Sequence, residues 1–105
     1  MINLYELTGK VDAHERVDIL FEGNSMRIER IVSPAGFVSE WYDQEESEWL
    51  TLLQGTATLE YGDNTIVTLF AGDTLTIPPH IIHRVIDTSE NSLCIWLCIF
   101  FGHNT

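Results

Sequence analysis

Short apolar or alternating segments recur along the whole chain, and turn residues separate them at regular intervals. Residues Met26 to Val32 alternate apolar with charged side chains, which is the period of a half-buried strand. A Gly-Asp-Asn turn at positions 62–64 joins Thr56–Tyr61 to Thr65–Phe70, as in a hairpin. No amphipathic helix of useful length is found. The pattern predicts an all-β protein, a sandwich or barrel of antiparallel strands.

We expect eight or nine strands within one domain spanning residues 1–105. The candidate strands are Asn3–Leu7, Val17–Glu22, Met26–Val32, Glu48–Leu53, Thr56–Tyr61, Thr65–Phe70, Leu75–Ile77, Ile82–Asp87 and Ser92–Phe101. The polar stretch at 10–16 is expected to form a loop or a short helical turn, and the last three residues are expected to fray.

The chain is strongly acidic, with a formal net charge of -11. Nucleic-acid binding requires Lys and Arg to neutralise phosphates, so this balance argues against a nucleic-acid partner. It equally disfavours an anionic membrane surface. A neutral or cationic ligand is compatible, and acidity also serves to keep a small domain soluble.

The cysteines give no sign of a redox or zinc site. Cys94 and Cys98 do not have C-x-x-C spacing, and on one strand face they lie too far apart for a disulfide. They are expected to be buried as small apolar side chains. The longest apolar run, Leu93–Phe101, is too short to span a bilayer, and no export signal opens the chain. The expected location is the cytoplasm.

The first glycine-bounded segment runs from Gly36 to Gly55. Tyr42 follows Gly36 after five residues, Gln44 comes two residues later, and Glu48 precedes Gly55 by seven.

The second segment begins at Gly72. Pro78 follows after five residues, and His80, His83 and Asp87 come next. Sixteen residues separate the two segments.

In spacing, these two segments resemble the paired motifs of the cupin superfamily. Tyr42 and Gln44 stand at the positions of two motif histidines, whereas Glu48 and His83 match the family residues. His80 replaces a glycine and Asp87 an asparagine. The resemblance implies a cupin-type antiparallel β-barrel, that is, a double-stranded β-helix or jelly roll.

The resemblance also implies a metal site, because typical cupins bind one divalent ion through these motif positions. Carried over, the ligands would be Glu48 and His83, with the carbonyl oxygen of Gln44 replacing a histidine. The ion would be Mn, Fe, Ni or Zn. Tyr42 is a poor ligand, since its phenol is normally protonated. Asp43 is the alternative to Gln44, but a bulge would be needed to bring it beside Glu48.

The same pocket is expected to be lined by Tyr42, Asp43, His80 and either Trp41 or Trp49. All but Tyr42 have a structural alternative. Asp43 could be a solvated charge, His80 a surface residue, and the tryptophans part of the core. His83 is either a pocket residue or a hydrogen-bonded core histidine.

Three functions remain open at this point. The first is a small-molecule-binding barrel that holds a divalent metal weakly at a degenerate site. The second is a metal-dependent enzyme of isomerase or dioxygenase type, as the resemblance implies. The third is a metal-free sensing or partner-binding module. A homodimer is expected, since small cupins commonly pair their sheets, with contacts supplied by Ile2–Leu7 and Leu93–Phe101.

Overall fold

The computed structural model describes residues 1–102, which contain eight antiparallel strands and no helix. The strands are β1 (Arg16–Gly23), β2 (Met26–Ser33), β3 (Ser47–Gln54), β4 (Thr56–Tyr61), β5 (Ile66–Phe70), β6 (Thr74–Ile77), β7 (His83–Thr88) and β8 (Cys94–Phe101). Residues 1–102 therefore hold no helix that could cross a membrane. The predicted fraying of residues 103–105 lies outside the described part.

The strands form two sheets that share one apolar core. The larger sheet has the order β1-β2-β8-β3-β6 and the smaller one β5-β4-β7. The core draws on both sheets, because alternate side chains of each strand point inward. Its most deeply buried members include Leu52, Ile77, Leu59 and Trp96. The prediction of an all-β antiparallel jelly roll is confirmed.

The predicted first strand, Asn3–Leu7, is wrong. Asn3 instead begins a turn, where its side-chain oxygen accepts a hydrogen bond from the Tyr5 amide at 2.9 Å. Residues 3–7 form an amino-terminal arm, and its main-chain carbonyls bond to the buried guanidinium of Arg30 instead of to a strand. Arg30 Nη1 donates to the carbonyls of Asn3, Leu4 and Glu6 at 3.0–3.3 Å. The arm is therefore held by a side chain rather than by a sheet.

The apolar segment Leu93–Phe101 was predicted to supply a dimer contact, but its strand is central. β8 lies between β2 and β3 and pairs with both. Because both of its backbone edges are already paired, it offers no edge to another chain.

The loop before β3 runs alongside β7 and attaches to its free edge. The Ser39 amide donates to the Val85 carbonyl at 2.9 Å. Further on, Tyr42 and His83 exchange two backbone hydrogen bonds, of 2.7 and 3.1 Å. These bonds join the first motif to the part of the second motif that contains His83.

Gly55 links β3 to β4 at a tightly packed corner. Its φ is +89°, in the region that favours glycine. A Cβ at this position would lie 2.8 Å from Cys94 Sγ and 3.2 Å from the Cys94 Cα. Gly72 has a similar φ of +94°, but nothing lies within 4 Å of its would-be Cβ.

These two glycines form a matched pair for a stability test. Gly72→Ala should lower the free energy of unfolding by about 1–2 kcal/mol, the cost of a left-handed backbone for a side chain. Gly55→Ala should cost a further ~1–3 kcal/mol, because the new methyl overlaps Cys94. Urea denaturation of both variants checks this, and equal losses would contradict the packing described at Gly55.

Candidate functional site

A cavity of about 220 Å³ lies between the two sheets. It is smaller than the roughly 300–1,000 Å³ typical of drug-sized ligands, so it suits a compact molecule. The apolar wall is formed by Val17, Ile31, Leu50, Leu59, Ile77, Val85, Trp96 and Phe100. The remaining lining residues are Glu15, Glu29, Tyr42, Gln44, Glu48, His83 and Cys98.

His83 presents an unpaired ring nitrogen to this cavity. Its Nδ1 lies 2.8 Å from the carbonyl oxygen of Ile81. A carbonyl only accepts, so Nδ1 carries a proton, and a neutral ring would hold a lone pair on Nε2. Nε2 lies 3.9 Å from Glu48 Oε1, which is too long for a hydrogen bond. The side chain is only 6% exposed and lines the cavity, so Nε2 is available to a ligand there.

Glu48 is a buried carboxyl group with neutral partners. Its Oε1 accepts a hydrogen bond from the Gln44 side-chain amide at 3.0 Å, and the Cys98 thiol also bonds to it. Burial raises the pKa of Glu48, and these two bonds and His83 offset only part of that effect. A buried carboxyl group beside an imidazole can exchange protons with a bound ligand, one group donating and the other accepting.

A second hydrogen-bonded group surrounds Glu15, which precedes β1. Its carboxyl group accepts bonds from Tyr42 Oη and Ser33 Oγ, both at 3.0 Å, and Trp96 Nε1 donates to Ser33 Oγ. Burial raises the pKa of Glu15, and burial together with Glu15 raises the pKa of Tyr42 to about 12. The rings of Tyr42 and His83 are in contact, with centroids 5.6 Å apart. The hydrogen-bonded group around Glu15 therefore lies next to the pair formed by His83 and Glu48.

The predicted site residues separate into two sets. Tyr42, Gln44, Glu48 and His83 all line the cavity. Tyr42 and Gln44 belong to the loop before β3, whereas Glu48 lies on β3 and His83 on β7. No bulge brings Asp43 to this cavity.

Asp43, His80 and Trp49 are not among the residues lining this cavity. Asp43 and His80 pair with each other on the surface, with His80 Nδ1 2.8 Å from Asp43 Oδ1. His80 stands where the family has glycine, and it keeps the backbone that glycine favours, with a φ of +61°. Trp49 alternates with the inward-facing Glu48 and Leu50, so it points away from the cavity.

Sequence reasoning missed Glu15, Glu29 and Cys98 as lining residues. Alternation along β2 and β8 carried a signal for two of them, since every second residue of an inner strand faces the core. Glu15 lies in an irregular polar segment, and no local pattern identifies it.

The lining side chains do not fit the predicted metal centre. Residues 1–102 contain no group of three His, Cys, Asp or Glu side chains arranged to hold a metal ion. Gln44 directs its amide nitrogen to Glu48, and burial keeps the Cys98 thiol protonated by raising its pKa well above the usual range. Of the predicted ligands, one imidazole and one carboxyl group remain, fewer than the three protein ligands of typical catalytic zinc sites.

The raised pKa of Glu48 predicts a pH-dependent effect of Glu48→Gln. Because the folded protein holds this proton more tightly than the unfolded chain, the Glu48 contribution to stability is full below its ordinary pKa of 4.5. That contribution is lost as the pH rises through the raised pKa. The variant should therefore match the wild type near pH 4 and exceed it in free energy of unfolding at pH 7, measured by urea denaturation. Glu22→Gln, at an exposed site, is the control. If Glu48→Gln is less stable than the wild type at pH 7, the raised pKa of Glu48 is contradicted.

The family model described as Cupin domain matches residues 28–100. A proposed mannose-6-phosphate isomerase from Ralstonia eutropha JMP134 is 31% identical, with a TM-score of 0.88, and 97% of each chain is covered. No curated protein matches the chain.

Two further solved structures share the fold at low identity. A conserved protein with a double-stranded β-helix domain from Klebsiella pneumoniae is 15% identical, with a TM-score of 0.84, and 99% of this chain and 90% of that one are covered. A cupin superfamily protein from Desulfitobacterium hafniense is 18% identical, with a TM-score of 0.76, and 90% of this chain and 83% of that one are covered. With the family match over most of the chain, the conclusion is that this protein belongs to the cupin superfamily.

Proposed function

We propose that this cupin binds a small organic molecule in its cavity, with His83 Nε2 and Glu48 as polar anchors and without a metal ion. One observation carries the proposal: His83 Nε2, which makes no hydrogen bond within residues 1–102, and the Glu48 carboxyl group, whose hydrogen-bond partners are neutral, both face an apolar cavity. Polar groups in such surroundings are normally hydrogen-bonded. A ligand in the cavity that bonds to Nε2 and to Glu48 would satisfy both groups.

The two enzyme readings are less well supported. A metal-dependent isomerase or dioxygenase needs a ligand set that Gln44, Glu48 and His83 do not supply. A sugar phosphate, as in the name of the Ralstonia relative, is also a poor fit. Phosphate is bound by Arg, Lys or helix N-termini, whereas this cavity is lined by carboxyl groups and by no Lys or Arg.

The first test is metal content together with small-molecule binding. Protein purified without chelators or metal resin should hold substoichiometric Mn, Fe, Ni and Zn by elemental analysis. In a fragment screen followed by thermal shift and calorimetry, ligands of the wild type should bind roughly tenfold to hundredfold more weakly to His83→Ala, because one buried hydrogen bond is lost.

His80→Ala is the matched control, since His80 lies outside this cavity. It should leave every affinity unchanged. Near-stoichiometric metal that disappears in a Glu48→Ala, His83→Ala double variant would overturn the metal-free proposal.

We also propose that the protein forms a homodimer through β1. This strand is an edge of the larger sheet, and it pairs only with β2. Val17, Ile19 and Phe21 alternate along it and remain 51–57% exposed. An edge strand with an uncovered apolar row favours pairing with a second copy.

The dimer is tested by light scattering after size-exclusion chromatography. The wild type should have twice the chain mass of 12.0 kDa, and Ile19→Lys should have the mass of one chain, because a charge then faces the apolar contact. Ile66→Lys is the control, since Ile66 is equally exposed, at 57%, on the smaller sheet. A monomeric wild type would refute the proposal.

A further inference from the structure

We propose that the ligand of this cavity is a small organic cation, a protonated amine whose charged end lies against Glu48 and Glu15. The inference rests on the proposed function, because it assumes that a small molecule occupies the cavity. It adds the chemical class of that molecule.

The first support is the charge of the lining. Three carboxyl groups line the cavity, those of Glu15, Glu29 and Glu48, and no Lys or Arg side chain lines it. Glu29 is neutralised by Arg27, whose Nε lies 2.6 Å from Glu29 Oε2. No such cation pairs with the other two in the described part of the chain.

Those two carboxyl groups have neutral donors only. Glu15 accepts bonds from Ser33 and Tyr42, and Glu48 accepts a bond from the Gln44 amide. Such donors orient a carboxylate but do not neutralise it, and burial raises the pKa of both groups by disfavouring their charged forms. His83 Nε2, 3.9 Å from Glu48, would partner that carboxylate only when protonated. A cationic ligand would favour the charged forms of both groups.

The second support is independent of charge. The His83 side chain is 94% buried and lines the cavity, and its Nε2 makes no hydrogen bond within residues 1–102. In a neutral ring this nitrogen accepts a hydrogen bond, so it suits a ligand that brings a donor. A protonated amine has up to three N–H donors and can bond to the imidazole and the carboxylate together. A ligand with only acceptor atoms would leave Nε2 unpaired.

The third support is the aromatic wall. Tyr42, Trp96 and Phe100 line the same cavity, and aromatic faces attract organic cations. The Phe100 ring already has the Arg27 guanidinium 4.5 Å from its centroid. The small cavity volume restricts the ligand to roughly one ring or a short branched chain.

The test compares three probes of one shape and different charge: benzylammonium, benzyl alcohol and benzoate. Calorimetry at pH 7 measures their affinities for the full chain, and amide NMR shifts at Leu50, His83 and Phe100 locate the binding. Glu48→Gln keeps the size of the side chain and removes its charge. Asp87→Asn removes one exposed charge elsewhere and controls for general attraction by the net charge of -11.

The expected result is benzylammonium bound in the cavity at least tenfold more tightly than benzyl alcohol. Glu48→Gln should abolish that preference, and Asp87→Asn should change it less than twofold. Tighter or equal binding of the alcohol or of benzoate in the cavity overturns the cation inference but leaves the proposed function standing. If none of the three shifts the cavity signals, the inference fails with the proposed function. If Glu48→Gln and Asp87→Asn lose the preference for benzylammonium equally, the cation inference is also overturned, because the attraction is then due to net charge rather than to the cavity.

Discussion

The two backbone hydrogen bonds between Tyr42 and His83 determine how the whole site is arranged. They attach an irregular loop to the edge of β7, so that the first motif lies directly beside the second. From that fixed point, Tyr42 reaches Glu15 and Gln44 reaches Glu48. Without this bridge, Tyr42 and Gln44 would no longer be held at the cavity, and only the bonds of Gly36 and Ser39 further along would keep the loop on β7.

The strand pattern was accessible from the sequence because alternation and turn residues are local signals. Eight of the nine expected strands are present, and Tyr42, Gln44, Glu48 and His83, which the motif spacing singled out, all line one cavity. Asn3–Leu7 failed because an apolar segment becomes a strand only where a partner strand is available. At this position the carbonyls bind Arg30, a contact between residues far apart in the chain.

The predicted pocket set failed where a side chain's direction depends on tertiary contacts. His80 was expected to turn either inward or outward, and its bond to Asp43 holds both residues on the surface. Trp49 could have been excluded by the alternation that placed Glu48 inward. Glu15 could not have been found, because its position depends on how the segment before β1 folds over the larger sheet. The coordination role of the motif residues stays a prediction.

The hold of Arg30 on the amino-terminal arm has a consequence for how this protein is handled in the laboratory. The guanidinium is buried, and three of its acceptors are main-chain carbonyls of residues 3–6. A truncation that removes those residues would leave the cation with Asp18 as its remaining acceptor. Because Arg30 belongs to β2, an inner strand of the larger sheet, the loss of these hydrogen bonds would destabilise that sheet. A segment that looks dispensable at the surface is therefore part of the folding unit.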